Sequence, residues 1–173
     1  MKLKRLLPLT VGLAVLTVFI AAAFFPHLFT HYGQKEMFKA WLPSTAEHLL
    51  GTNSLGYDIY TELIYGTQET LLVGIASSAA ALALGTVIGS LSTLKGFVGV
   101  IFNGLINVFV LLPKLITLIV LASFVGGSVK NLIILIAAFS WVGVARSIRS
   151  KVIHLNAQPF IENCIIQGYS SFH

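Results

Sequence analysis

Residues 70–94 read TLLVGIASSAAALALGTVIGSLSTL, from Thr70 to Leu94, without one charged side chain, and Lys95 follows at once. A run of about 20 apolar residues, coiled as an α-helix, matches the hydrocarbon thickness of a bilayer. Small residues are spread along it, among them Gly74, Ala76, Ser77, Ala80, Ala83, Gly85 and Gly89. Such residues let helices approach closely where no hydrophobic effect drives them together. The segment therefore reads as a membrane-spanning helix buried among neighbours, with Lys95 at its cytoplasmic end. It decides the fold class, an all-α, polytopic transmembrane helical bundle.

Composition agrees. The chain is 56% hydrophobic and 10% charged, against about 25% charged in a soluble domain, so water is not its main solvent. The net charge of +5 would point to nucleic acid in a soluble protein, but here the basic residues gather at the ends of apolar runs. That is membrane topology, with lipid rather than nucleic acid as the surrounding partner. A single cysteine, Cys164, excludes an intrachain disulfide and leaves no cluster for structural zinc. An intramembrane enzyme would need catalytic groups converging within the spans. The five histidines do not supply them: His27, His31 and His48 precede the 70–94 run, and His154 and His173 follow the last apolar run.

Three further spans are expected. Behind Lys2, Lys4 and Arg5 comes an uncharged run at about 6–26, whose length exceeds the roughly 7–15 apolar residues of a cleavable signal peptide. The 27–69 loop holds Glu36, Glu47, Asp58, Glu62 and Glu69, five of the six acidic residues, and is expected outside. Its aromatic residues suit a segment near the headgroups rather than an independent folded domain. The apolar region 96–129 is too long for one straight span and is interrupted by Pro113 and Lys114. One crossing by a kinked helix at about 103–125 is preferred, because two would put Arg146, Arg149 and Lys151 outside, against the positive-inside bias. The last span, about 130–149, has an uncharged core short for a bilayer of about 30 Å, so its flanking cations snorkel. Lys114 within the third span reads either as a group on the transport path, beside Pro113, or as a snorkelling lysine.

Two stretches rise above generic membrane composition. The first is His48-Leu49-Leu50-Gly51-Thr52-Asn53-Ser54-Leu55-Gly56-Tyr57-Asp58, followed by Ile64-Tyr65-Gly66 and Thr70-Leu71-Leu72-Val73-Gly74. Gly51, Asn53 and Gly56 predict a turn, and after it an amphipathic helix leading into the 70–94 span. The second is Ser140-Trp141-Val142-Gly143-Val144-Ala145-Arg146-Ser147-Ile148-Arg149, followed by Pro159 to Gly168. Pro159 suits the first turn of a helix, Glu162 its positive end, and Gly168 its termination.

Together these segments resemble the inner-membrane permeases of the dipeptide, oligopeptide and nickel ABC-importer family. The family's outer-loop pattern G-T-D-x-x-G-R-D is similar to Gly51, Thr52, Asn53, Gly56, Tyr57 and Asp58, with Asn53 and Tyr57 in place of its Asp and Arg. Its G-W-x-x-x-A-R-x-x-R is similar to residues 140–149. Its cytoplasmic E-A-A motif with a later glycine is similar to Glu162, Asn163, Cys164 and Gly168, both alanines being replaced. Pro113 matches a proline usual in the family's third helix.

The resemblance implies a permease subunit of an ABC importer for peptides or nickel and metal chelates. Four spans of six would be present, the chain being truncated after the E-A-A-type motif, in the inner or plasma membrane with a cytoplasmic N-terminus. It further implies a short cytoplasmic coupling helix at 156–173, with Pro159, Glu162, Asn163, Cys164 and Gly168 at the contact to ABC ATPase subunits. A second permease subunit and an extracytoplasmic substrate-binding protein complete the expected partners. No G-x-x-x-x-G-K-[ST] sequence occurs, so ATP and Mg belong to the ATPase and the chain itself binds no cofactor. A membrane anchor without transport activity is the alternative reading.

The charge asymmetry makes a direct prediction about topology. With Cys164 replaced, a single cysteine at Ser44 should react with an impermeant reagent in intact cells, and one at Ser150 only after the membrane is opened. Outside labelling of position 150 would sink this topology.

Overall fold

The computed structural model describes residues 2–161 and Gln167, with the backbone alone for residues 2–7. Its helices are α1 (Lys2–Phe24), α2 (Ile59–Leu91), α3 (Phe97–Leu111), α4 (Lys114–Val125) and α5 (Val129–Asn156), with a short 3-10 turn at Pro26–Leu28. The chain divides into two compact units, Met1–Leu72 and Val73–His173. Among the described residues α2 and α5 are each long and apolar enough to cross a membrane. The α3–α4 pair makes a third span if the two count as one, and Pro8–Phe24 is a shorter apolar helix. The chain is thus an all-helical membrane protein.

In the first unit, α1 is uncharged beyond its basic start and leads through Pro26 into the loop. The loop does more than rest on a surface. Thr30, His48, Thr52, Asp58 and Thr61 are buried in it, so it carries a polar core of its own, where sequence reading expects no independent fold. Its pattern has no period of 2 or 3.6 residues to announce that core, because hydrogen bonds rather than apolar spacing build it.

The second unit is organised by one stripe of small residues. Ser77, Ala81, Gly85 and Gly89, four residues apart, are the buried positions along the 73–91 part of α2. Residues at that spacing share one face of a helix. A Cβ on Gly85 would lie 2.7 Å from the Trp141 carbonyl oxygen, and one on Gly89 2.7 Å from that of Ala145. The backbones of α2 and α5 therefore touch where glycine leaves room, and Ala145 is 0% exposed between them. Against this seam α3 contributes Ile106 and Phe109, completing a cluster with Ala81, Ile88, Trp141, Val142 and Ala145. The Phe109 ring meets Trp141 edge-on at 5.1 Å, and the indole N–H donates to the Ala138 carbonyl at 2.9 Å.

Most of the remaining apolar surface is open. In α2 the positions flanking the stripe, Ala83 and Leu84 included, face outward, so within this chain the helix is packed along one edge. No residue of α4 is buried, and Phe124 is 82% exposed. In water such surface would be a liability; a bilayer solvates it.

The 96–129 region departs most from expectation. Helix begins at Phe97 rather than near 103, and α3 and α4 meet at 85°, a far sharper turn than a kink. Pro113 lacks an amide hydrogen and sterically forces the preceding residue out of helical geometry; Leu112 accordingly sits at φ −72° and ψ 127°. Ser128 then caps α5 by accepting from the Asn131 amide at 3.2 Å.

Because space rather than helix propensity governs Gly85, substitution there should invert the usual rule. Gly85→Ala should destabilise the protein by about 1–3 kcal/mol through overpacking. Gly74→Ala, where a Cβ meets nothing within 4 Å, should be neutral or gain up to about 1 kcal/mol. Thermal unfolding of both variants in detergent tests this ranking.

Candidate functional site

The motif residues of the loop converge on one hydrogen-bonded knot at the start of α2. Gly51 and Gly56 have φ of +75° and +85°, a region that glycine enters freely, and each packs so closely that a Cβ would collide with the carbonyl oxygen of Leu42 or Phe38. Thr52 Oγ1 donates to the Lys39 carbonyl at 2.7 Å and accepts from the Leu42 amide at 2.8 Å. Asn53 Oδ1 accepts from the amides of Leu55 at 2.8 Å and Tyr57 at 3.0 Å, while its Nδ2 donates to Glu62 at 2.9 Å. An Asp at that position could make the first two bonds but could not donate to Glu62.

Asp58 is the centre. Its Oδ1 accepts from the Thr61 amide at 2.8 Å, capping α2 at the end where a negative charge is favoured. Its Oδ2 lies 2.9 Å from His48 Nδ1, with both side chains buried. Burial works to raise the Asp58 pKa, but the Thr61 amide, the His48 ring and the Thr61 hydroxyl together outweigh it and hold the carboxyl below its ordinary value. An ionised Asp58 only accepts, so His48 Nδ1 is the donor. The imidazole is packed in turn by Phe38 at 4.6 Å and Tyr32 at 5.4 Å. One turn along, Thr61 and Thr30 share a buried hydroxyl bond of 2.7 Å, tying the chain after Leu28 to α2.

The second motif lies along α5. Trp141 and Ala145 form the seam with α2, and the Arg149 guanidinium donates to the Ser92 carbonyl just past the end of α2. Carbonyls at a helix C-terminus lack intrahelical partners and carry partial negative charge, so an arginine from a neighbouring helix is a natural cap. Arg146 is exposed. Pro113 forms the elbow, and Lys114 Nζ donates to Ser140 Oγ at 3.2 Å. At the end of the described chain, backbone helix resumes at 159–161, beginning at Pro159. Glu162, Asn163, Cys164 and Gly168 lie outside the described residues.

Motif residues Gly51, Thr52, Asn53, Gly56 and Asp58 are therefore gathered in one place, and Lys114 is at another. Sequence reading passes over His48, Thr30, Thr61 and Ser140 as contact residues. Only His48 carries a signal, as a titratable residue inside the quoted motif.

No family model matches the chain. Over 161 residues it is 31% identical to the dipeptide transport system permease protein DppC of Alkalihalophilus pseudofirmus, spanning 91% of this chain and 53% of that protein. It is 28% identical over 149 residues to the dipeptide transport system permease protein DppC of Bacillus subtilis, spanning 85% and 47%. With the oligopeptide transport system permease protein OppC of Haemophilus influenzae it shares 29% identity over 163 residues, spanning 90% and 51%. The chain is a homologue of the peptide-transport permease proteins. It spans about half the length of the curated relatives it matches. In this permease homologue the loop motif has a physical role: each of its residues closes or caps the knot from which α2 starts.

Asp58 gives the knot a pH dependence of known sign. A carboxyl whose pKa is lowered by folding stabilises the folded state fully above its ordinary value, near 3.8, and loses that contribution as pH falls through the depressed value. Melting temperature should therefore fall on acidification below about pH 4. Asp58→Ala should cost about 1–3 kcal/mol at neutral pH, and Asp58→Asn less, since asparagine still caps. Both should flatten the acid limb of a melting curve recorded from pH 3 to 7.

Proposed function

We propose that the chain forms part of the translocation pathway of an ABC importer for peptides. The observation that supports it most is similarity over about nine-tenths of the chain to proteins named as dipeptide and oligopeptide transport permeases. The loop and α5 motifs fall within that similarity, and the residues of each are well packed within their own unit. Nickel and metal chelates, the other cargo that the motifs imply, are not named by these relatives, so peptide is the preferred substrate.

In this reading the N-terminus and the 146–173 segment are cytoplasmic, the 27–69 loop is external, and the membrane is the inner or plasma membrane. The loop knot offers an extracytoplasmic binding protein a rigid platform. ATP with Mg is handled by separate ATPase subunits, and a second permease completes the pathway. Alternating access follows if motion of the ATPases shifts the helices between inward-open and outward-open states, each stabilised by different contacts.

The coupling contact is assigned to 156–173. Pro159 opens a helical turn just after α5 ends, so motion of this segment would be transmitted directly into the helix that packs α2 and α3. Glu162 favours the helix start and can pair with a basic residue on the ATPase, while Gly168 suits a termination that a larger residue would resist.

In the full-length subunit, Gly168→Val and Glu162→Lys should lower the amount of ATPase that co-purifies by about tenfold, the effect of losing a central interface residue, and should uncouple transport while insertion is unchanged. If both variants retain wild-type co-purification and uptake, the segment is no coupling element.

A further inference from the structure

The elbow between α3 and α4 places a lysine at a depth where a lysine is costly. Ser140, its hydrogen-bond acceptor, lies eleven residues into α5, about 17 Å from Val129 at the helical rise of about 1.5 Å per residue. For a helix that crosses a hydrocarbon layer about 30 Å thick, that is close to the midplane. Lys114 Nζ therefore points toward the middle of α5, rather than out along α4 toward a membrane surface.

Nothing in the surrounding sequence balances its charge. From residue 70 to residue 161 the chain has no Asp or Glu, and Ser140 offers only a neutral hydroxyl. The local backbone adds to the imbalance. Pro113, the N-cap of α4, provides no side-chain cap, so the first-turn amides of α4 present partial positive charge beside the ammonium. A cation is disfavoured at that end of a helix, and two positive features side by side call for an anion. Within this chain Lys114 is exposed, its ammonium held by Ser140 alone among the described residues.

We propose that Lys114, held against Ser140 at the α3–α4 elbow, binds the terminal carboxylate of a peptide in transit, the uncapped amides of α4 assisting. This rests on the importer reading above and adds the chemical group recognised and the residue that recognises it. A broken helix near the midplane, its half-helix N-terminus turned to an anionic group, is a recurrent way for a membrane transporter to hold such a substrate. The 85° break and the cation thereby acquire one common purpose.

The test uses the full-length subunit with its partner subunits and binding protein in proteoliposomes, taking up radiolabelled dialanine or its C-terminal amide. The ratio of the two uptake rates is compared between wild type and variants, so that selection by the unchanged binding protein cancels. Lys114→Gln should lower uptake of the free acid by about tenfold or more, the range expected for losing a charged hydrogen bond, and leave uptake of the amide within about twofold; Lys114→Arg should retain the wild-type ratio. An equal fall for both substrates would assign Lys114 to a carboxylate of the second permease or to helix packing, and overturn the proposal. An unchanged ratio with unchanged rates would overturn it as well, while leaving the importer reading intact. Failure of the wild-type complex to move either peptide would instead remove the importer reading, and this proposal with it.

Discussion

The close approach of α2 and α5 governs the second unit. In lipid, apolar side chains gain nothing by leaving the solvent for each other, so helices hold together by dispersion over short distances. Gly85 and Gly89 bring the α2 backbone against the carbonyls of Trp141 and Ala145. From that seam the rest is placed: Trp141 receives Phe109 of α3, Arg149 reaches the carbonyl beyond the end of α2, and Ser140 meets Lys114 at the elbow. Widening the seam by one methyl group would disturb all three.

The loop knot obeys the opposite logic. It buries polar groups, and each is matched: Thr52, Asp58 and His48 have partners within 3.1 Å, as has the half-buried Asn53 beside them. A buried polar group without a partner costs more than a satisfied one contributes. Such a knot is therefore intolerant of partial change, which suits a fixed platform at the end of a spanning helix. The signature has a mechanical meaning here. Glycines permit two tight approaches, and Asp58 joins the helix start to the loop behind it.

The departures from the family pattern fit the same account. Asn53 stands where the family has Asp, and its amide nitrogen donates to Glu62 on the first turns of α2. Tyr57 stands where the family has Arg, and its backbone rather than its side chain carries the bridge to Met37. The substitutions thus leave the knot closed.

The sequence by itself determined the solvent, and with it the fold class. Uncharged runs of spanning length can lie nowhere but in lipid, and in lipid a lone segment must satisfy its backbone as a helix. It also determined the glycine turn before α2 and an interruption of the helix at Pro113, since both follow from the local sterics of single residues, whereas the 85° between α3 and α4 came only with the tertiary structure. Tertiary structure alone decided the rest. Small residues at Gly74, Ala83, Gly85 and Gly89 look alike in the chain, yet only the last two face a neighbour, because that depends on how two helices are rotated against each other. The pairing of His48 with Asp58 and the meeting of Lys114 with Ser140 are likewise invisible in one dimension. A hydrogen bond is set by positions to within a fraction of an ångström, and residues 26 apart in sequence acquire those positions only when the helices pack.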